Sequence, residues 1–243
     1  MQSQKSQNRL NSLFITGTDT EIGKTVVTGL LFDYLRKAGY SVITQKWIQT
    51  GSVGFPLDVA DHLKIAGMSK SETEGELDDI CPFQFSLPAS PHLAAARENT
   101  TINPDKIVKS FNKLSDNYDC VLAEGIGGAL VPMNEKRLVI DIAETLHLPV
   151  LIVALNKLGA LNHTLLTIEA IRRRNLPVAG VIFNNIIPDT NPVIIEDNPE
   201  IIRRFTGENI LGTLPYKEKP EELKNEFIDI GDNLLKILKG EAI

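Results

Sequence analysis

The sequence has 243 residues, 42% of them hydrophobic, and a formal net charge of −6. A chain of this size can bury a large core, so we expect a single α/β domain over residues 13–243, preceded by a flexible tail over residues 1–12. The 25 basic residues are spread along the chain, which argues against a nucleic-acid partner. Two distant cysteines and the lack of any membrane-length apolar run predict a cytoplasmic protein with no membrane partner.

Short apolar runs alternate with amphipathic segments along the chain. This alternation is typical of a mostly parallel sheet with helices on both faces. Amphipathic spacing predicts helices near residues 27–38, 161–174 and 221–239, the first of them ending at Gly39. The predicted strands cover residues 13–16, 41–47, 120–123, 150–155, 178–183 and 210–214.

Residues 17–25 form a candidate phosphate-binding loop, Gly-Thr-Asp-Thr-Glu-Ile-Gly-Lys-Thr, between a predicted strand and a predicted helix. Its glycines let backbone N–H groups face phosphates, and the helix N-terminus adds its positive dipole. We expect Lys24 to neutralise β- and γ-phosphate charge and the Thr25 hydroxyl to coordinate Mg²⁺. Five residues, one more than in the common motif, separate Gly17 from Gly23. The loop predicts a P-loop NTPase-like fold.

Further Mg²⁺ ligands are expected at other strand ends, because Mg²⁺ prefers six oxygens and one threonine is not enough. Glu124 ends an apolar strand and precedes a Gly-Ile-Gly-Gly run whose backbone can approach a ligand closely. The alternative interpretation of Glu124 is a surface carboxylate at a strand end. Asp61 follows the second strand, near Asp58, and its spacing fits a metal ligand and a helix N-terminal residue equally well.

Lys46 lies near the end of the second predicted strand, where ligands collect in parallel sheets. A lone lysine is ordinarily a solvated charge. At this position, however, a second cation could bind an anionic reacting group that Lys24 cannot reach.

The chain closely resembles the dethiobiotin synthetases, ATP-dependent enzymes of biotin synthesis, over residues 13–216. The resemblance rests first on the Gly-Thr-Asp-Thr and Gly-Lys-Thr of residues 17–25, which also account for the extra loop residue. The other matching motifs are Lys46 with Gln49-Thr50-Gly51, Asp61, Ser90-Pro91-His92, Glu124 to Gly128, Lys157-Leu158-Gly159 with Asn162-His163, Asn184, and Pro215-Tyr216.

The resemblance implies a role for each matched position. It assigns nucleotide binding to Glu21, Ile22, Gly23, Lys24, Thr25, Val26, Asp61, Glu124, Gly125, Ile126, Gly127, Asn184, Asn185, Pro215 and Tyr216, with adenine at the last four. It assigns Mg²⁺ to Thr25, Asp61 and Glu124, catalysis to Lys46, Lys24 and Thr20, and substrate contacts to Thr50, Gly159 and Asn162. It also implies a homodimer in which the segment from Gly159 to Asn162 reaches the partner's active site.

The family's reaction converts 7,8-diaminopelargonate, CO₂ and ATP to dethiobiotin, ADP and phosphate. The substrate supplies both nucleophiles, so catalysis is expected to consist mainly of positioning and charge neutralisation. Neither His92 nor His163 has an acidic partner at a recognisable spacing, so a positioning hydrogen bond is favoured over proton transfer for both. Family members usually have proline after the active-site lysine. Trp47 takes that place here, which leaves the position of Lys46 less constrained.

Two alternatives share the fold. Nucleotide-switch ATPases of the partitioning or septum-positioning type carry an additional lysine early in the loop, and none is present in Gly17-Thr18-Asp19. The synthetase domain of an amidoligase is usually followed by a glutaminase domain, which we do not expect here. The ligase is therefore the favoured prediction.

Overall fold

The computed structural model describes residues 9–188 and 190–241. Its centre is a six-stranded sheet, ordered β2-β5-β1-β6-β7-β8, in which every neighbouring pair is parallel. A separate pair, β3 and β4, is also parallel. The strands are β1 Leu13–Gly17, β2 Val42–Lys46, β3 Ile48–Gln49, β4 Phe83–Gln84, β5 Cys120–Gly128, β6 Val150–Leu155, β7 Val178–Asn184 and β8 Ile210–Leu214.

The helices cover both faces of this sheet, as predicted, and the central strands are accordingly apolar and buried along their length. The buried hydrophobic side chains form one cluster. In the described part of the chain, none of the helices combines the length and the apolar character needed to cross a membrane. The α-helices are α1 Lys24–Lys37, α2 Leu57–Ala66, α3 Leu77–Ile80, α4 Pro91–Arg97, α5 Pro104–Asn117, α6 Ile140–Thr145, α7 Ala160–Arg172, α8 Pro192–Thr206 and α9 Ile228–Leu238.

The last predicted helix, residues 221–239, is interrupted. Pro220–Leu223 form a short 3₁₀ turn, and the α-helix begins only at Ile228. The predicted tail is also too long at its inner end. Leu10 is buried and donates its backbone N–H to the Asp119 carbonyl at 3.1 Å, so the packed part of the chain begins before residue 13. Residues 1–8 of that prediction lie outside the described residues.

Strand β5 continues five residues beyond its predicted end and includes Glu124 and the glycine run. Gly128 pairs with Gly17, and the register between β1 and β5 shifts just before this pair. Glycines make the shift possible, because they carry no side chain to pack and accept unusual backbone angles. Glu124 is therefore inside the sheet and fully buried, and the alternative of a surface carboxylate is wrong.

Candidate active site

A cavity of about 410 Å³ lies where β1, β2 and β5 end. It brings together residues that are far apart in the sequence, as expected at the carboxyl edge of a parallel sheet. Its lining consists of Thr20, Glu21, Ile22, Gly23, Lys24, Thr25, Lys46, Gln49, Thr50, Asp58, Glu124, Ile126 and Gly127. Most of the predicted phosphate, metal and catalytic residues therefore share one cavity.

The loop between β1 and α1 shapes one wall of this cavity. Gly23 has a φ of 93°, a left-handed conformation that glycine adopts without strain, and α1 begins at the next residue. The Ile22 carbonyl accepts a hydrogen bond from the Asn184 Nδ2 atom at 2.9 Å, which ties the loop to the end of β7. The Lys24 Nζ atom donates to the Asp19 carbonyl at 2.8 Å. The loop is thus held in place by its own side chains and by β7.

Strand register explains how Lys46 meets Glu124. The two residues are partners in the β2–β5 ladder, so their side chains leave the same face of the sheet. The Lys46 Nζ atom donates to Glu124 Oε1 at 2.7 Å and to the Gly125 carbonyl at 2.9 Å. It also contacts Asp58 Oδ2 at 2.5 Å. The Thr25 hydroxyl donates to the same Glu124 Oε1 atom at 3.0 Å.

The charges of this cluster stabilise one another. Burial alone would raise the pKa of Glu124, but the positive charge and hydrogen bond of Lys46, together with His62, outweigh it and hold that pKa well below its ordinary value. Burial would likewise lower the pKa of Lys46, but Glu124 and Asp58 raise it above its ordinary value. Both groups are therefore ionised at neutral pH.

Lys24 has different surroundings. Burial, and next the positive charge of Lys46, lower the pKa of Lys24 to about 8 from an ordinary 10.5, although Glu124 and Asp58 act in the opposite direction. The negative charge of a neighbouring polyanion would raise this pKa again and so oppose both burial and Lys46.

Asp58, and not the predicted Asp61, supplies the second carboxylate of the site. Helix α2 begins after Pro56, which places Asp58 in its first turn against Lys46. Asp61 is exposed and does not line the cavity. A helix that starts after the proline turns Asp58 and His62, one turn apart, to the same side, but only the packing of α2 shows that this side faces the cavity.

His62 is a site residue that the sequence analysis missed. Its ring is buried where α2 packs on β2 and β5, with Nε2 at 2.7 Å from Glu124 Oε2 and Nδ1 at 3.1 Å from Thr44 Oγ1. Among the residues described, it provides the contact to the second oxygen of Glu124. No motif contains it, so only the packing of α2 could show its position.

Trp47 is fixed by packing. It is fully buried and stacks on Phe14 with ring centroids 4.6 Å apart, while its indole N–H donates to Gln45 Oε1 at 3.0 Å. Gln45 in turn donates to the Asp79 carbonyl. These contacts constrain the backbone beside Lys46 in the place of proline's fixed φ.

The residues predicted to recognise adenine lie at the ends of β7 and β8. The Asn185 N–H donates to the Leu214 carbonyl at 2.9 Å, which brings Asn185 beside Pro215 and Tyr216. Its Oδ1 atom is buried without a hydrogen-bond partner among the described residues. Asn184 is buried and bonded to the loop, as described above. The residues predicted to recognise adenine therefore lie close together at this edge of the sheet.

The segment predicted to reach a partner subunit lies outside the cavity. Gly159, with a φ of 90°, precedes α7, and Asn162 and His163 are exposed on its first turn. Leu158 is 81% exposed. The cavity lining, as far as the described residues go, includes neither this segment nor His92. The predicted substrate residue Thr50 does line the cavity, whereas Gly159 and Asn162 do not.

Comparisons with known proteins place the chain among its relatives. A family model described as an AAA domain matches residues 11–223. The ATP-dependent dethiobiotin synthetase 2 of Pasteurella multocida is 43% identical over 192 residues, which cover 79% of this chain and 89% of that protein. The dethiobiotin synthetase of Halalkalibacterium halodurans is 39% identical over 85% of both chains, and that of Bacillus cereus strain G9842 is 36% identical over 96% and 94%.

Solved structures share the fold at low identity. The cell-division protein MinD of Aquifex aeolicus has a TM-score of 0.58 at 18% identity, with 96% of this chain and 98% of that chain covered. A ParA family ATPase from Chlorobium tepidum has a TM-score of 0.55 at 16% identity, with 96% and 93% covered. These likenesses confirm the P-loop NTPase-like fold and no more than the fold. The identity to the synthetases extends over most of both chains, and the chain therefore belongs to the dethiobiotin synthetase family.

Proposed function

We propose that this chain is an ATP-dependent ligase that converts 7,8-diaminopelargonate and CO₂ to dethiobiotin, with ADP and phosphate as the other products. Membership of the synthetase family supports the reaction. The observation that carries the proposal is the convergence of the phosphate loop, Lys46 and two carboxylates, Asp58 and Glu124, in one cavity.

ATP is proposed to bind with its phosphates on the loop from Glu21 to Val26, beside Lys24, and with its base near Asn184, Asn185, Pro215 and Tyr216. Asn185 supports this because its backbone hydrogen bond to Leu214 holds it beside Pro215 and Tyr216, where β7 and β8 end.

Mg²⁺ is proposed to bind at Thr25, Glu124 and Asp58, with Asp58 in the place predicted for Asp61. The donor set fits, because these are hard oxygen ligands and both carboxylates contact the same Lys46 Nζ atom. Within the described residues no group of three or more His, Cys, Asp or Glu could hold a metal. Phosphate oxygens and water would complete the coordination of the ion, and Mg²⁺ would neutralise charge on the phosphates.

The chemistry requires no nucleophile from the protein. An amine of diaminopelargonate forms a C–N bond to CO₂ and loses a proton, which gives a carbamate. A carbamate oxygen then takes the γ-phosphoryl group and ADP leaves. The second amine attacks the carbamoyl carbon, loses its proton and expels phosphate as the ring closes.

Lys46 and Lys24 are proposed to hold the anionic groups of these steps. Lys46 ends β2 and lines the cavity together with Thr50, and it would bind the carbamate. Lys24 would follow the γ-phosphoryl group as it moves. Both are positioned before substrate arrives, so little reorganisation accompanies the reaction. Thr20 also lines the cavity and is proposed to orient the same groups.

The proposed experiment measures phosphate release from ATP with and without diaminopelargonate and bicarbonate, and identifies the product by mass spectrometry. We expect release to require both substrates and to match dethiobiotin formation one to one. Hydrolysis that ignores diaminopelargonate would reject the ligase and favour a nucleotide-switch ATPase. Free ADP and phosphate formed without the cyclic urea would also reject it.

A further inference from the structure

The two oxygens of Glu124 face different surroundings. Oε1 accepts hydrogen bonds from Lys46 at 2.7 Å and from Thr25 at 3.0 Å, on the cavity side. Oε2 points into the protein and contacts the Nε2 atom of His62 at 2.7 Å. Since an ionised carboxylate only accepts hydrogen bonds, the Nε2 atom carries a proton and donates it.

The ring of His62 is held from its other side. Its Nδ1 atom lies 3.1 Å from the Thr44 hydroxyl. Thr44 and Lys46 are two residues apart on β2, so both side chains leave the same face of the strand toward Glu124. With both ring nitrogens engaged, the imidazole can neither flip nor swing away.

Helix α2 reaches this position because it packs closely on α1. A Cβ atom added at Gly29 would come within 2.8 Å of the Ile65 side chain and 3.4 Å of the His62 Cα atom. Glycine at position 29 therefore permits the approach. The same helix face then presents Asp58 to Lys46 and, one turn later, His62 to Glu124.

We infer that His62 is a positioning residue that keeps Oε2 of Glu124 occupied, so that only Oε1 is presented to the Mg²⁺ and phosphate side of the cavity. This inference rests on the proposed function, which assigns Mg²⁺ to Glu124. Partners that orient a metal-binding carboxylate commonly affect metal affinity about 10- to 100-fold.

Loss of the histidine donor would have two effects. Oε2 would lose its hydrogen-bond donor in the interior, where an unpaired charged oxygen is costly. The carboxylate would then be free to rotate and to pair both oxygens with Lys46. Either change moves Oε1 from a fixed position, so binding of Mg²⁺ with ATP should weaken more than binding of ATP alone.

Two amide variants of matched chemistry test the inference. His62→Gln has a side chain long enough to donate to Oε2, whereas the shorter side chain of His62→Asn ends near the Nδ1 position and cannot reach it. Calorimetry would measure the affinity of each protein for ATP in EDTA and at a series of Mg²⁺ concentrations. For His62→Asn we expect the required Mg²⁺ concentration to rise about 10-fold or more. Affinity for metal-free ATP should stay within about 2-fold, and His62→Gln should recover most of the Mg²⁺ response.

A His62→Asn protein with the wild-type Mg²⁺ requirement would overturn the inference. So would equal losses in both variants accompanied by weaker metal-free ATP binding, because that pattern indicates a purely structural role. If His62→Asn does not fold, His62→Leu, which is apolar and equally unable to donate, takes its place with the same expected result. Failure of the proposed function would appear elsewhere, as a wild-type protein that forms no dethiobiotin while its ATP binding still responds to Mg²⁺.

Discussion

Two buried lysines line the same cavity, and their surroundings shift their pKa values in opposite directions. Lys46 lies between Glu124 and Asp58, which keep it charged. Among the described residues, Lys24 has only a backbone carbonyl as its hydrogen-bond partner, and burial, together with repulsion from Lys46, lowers its pKa. Without ligands, Lys46 is therefore paired with two carboxylates, whereas Lys24 depends more on the negative charge that a bound ligand would bring.

Binding of ATP should add a proton to Lys24 at mildly alkaline pH. In the free protein Lys24 loses its proton as the pH rises through about 8, and a bound triphosphate would raise that pKa again. Calorimetry of ATP binding in buffers of different ionisation enthalpy should show proton uptake at pH 8 to about half a proton per site. Lys24→Arg, which stays charged, is the matched control and should show none from this position. Equal uptake by both proteins would contradict the prediction.

Lys46→Gln should reduce turnover far more than ATP affinity. The ammonium of Lys46 is expected to act on the carbamate, which exists only after CO₂ has been captured. We expect a loss of about 100-fold or more in kcat, equivalent to about 3 kcal/mol, with ATP affinity changed by less than about 5-fold. Steady-state kinetics and ATP titration would measure the two quantities. Lys113→Gln, at an exposed lysine, is the control. Equal losses of kcat and of ATP affinity would indicate that Lys46 is another phosphate ligand.

At the scale of the element, α2 supplies the residues that complete the site from outside the phosphate loop. Its first turn contacts Lys46 and its second contacts Glu124. The helix phase decides which of its acids faces the cavity, and Asp58 faces it while Asp61 does not. Asp58 and Asp61 are only three positions apart, yet one lines the cavity and the other lies on the surface.

Asp58→Asn and Asp61→Asn form a matched pair on this helix. Asp58→Asn keeps the shape of the side chain but removes a charge from the proposed Mg²⁺ site, so the Mg²⁺ concentration required for turnover should rise about 10-fold. Asp61→Asn should leave it within about 2-fold of wild type. Magnesium titrations of turnover at saturating ATP would compare the two. A larger effect at Asp61 would restore the assignment made from sequence.

The sequence predicted the sheet well because buried parallel strands are continuous apolar runs. All six central strands were predicted, and only β5 differed by more than a residue or so at its ends. The two-residue strands β3 and β4 have too little length for any periodic pattern. The phosphate loop could be predicted because its motif is local, and the structure places it at the cavity. The proposed roles of its residues stay predictions.

The contacts that the sequence could not predict are those made across long separations. His62 and Glu124 are 62 residues apart and meet only because α2 packs against α1 and β2. The extension of β5 through its glycines, with its shift of register, depends on pairing with β1, which no local pattern reveals. Trp47 in the place of proline suggested that Lys46 is less constrained. The sequence could not show otherwise, because the residue that Trp47 stacks on, Phe14, lies on another strand.

At the scale of the whole molecule, the surface around α7 exposes apolar side chains that a single subunit does not cover. Asn162 and Leu166 lie one turn apart on this helix, and Leu166 is 55% exposed. Leu158, just before the helix, is almost fully exposed. Exposed apolar side chains next to a helix start suit a surface that is covered in a homodimer, where the helix N-terminus could bind the substrate carboxylate.

Mixing two inactive proteins should restore activity if the site is shared. In a two-fold dimer, one subunit would supply Lys24 and its partner Asn162 to each site. A mixed dimer of Lys24→Ala and Asn162→Ala would then have one site with both defects and one intact. We expect activity to return to about a quarter of the wild-type level when equal amounts exchange subunits at random. No recovery, with exchange confirmed by mass spectrometry, would place Asn162 in its own subunit's site or outside any site.

Trp47 gives this protein an optical property of practical value. It is the one tryptophan in the sequence, and it lies directly after Lys46 and stacks on a ring of the strand that leads into the phosphate loop. Its intrinsic fluorescence therefore comes from a single buried position next to the candidate active site. Nucleotide binding, which acts on the residues at both ends of that stack, and unfolding, which exposes the indole to water, can each be followed in the unlabelled protein by its emission.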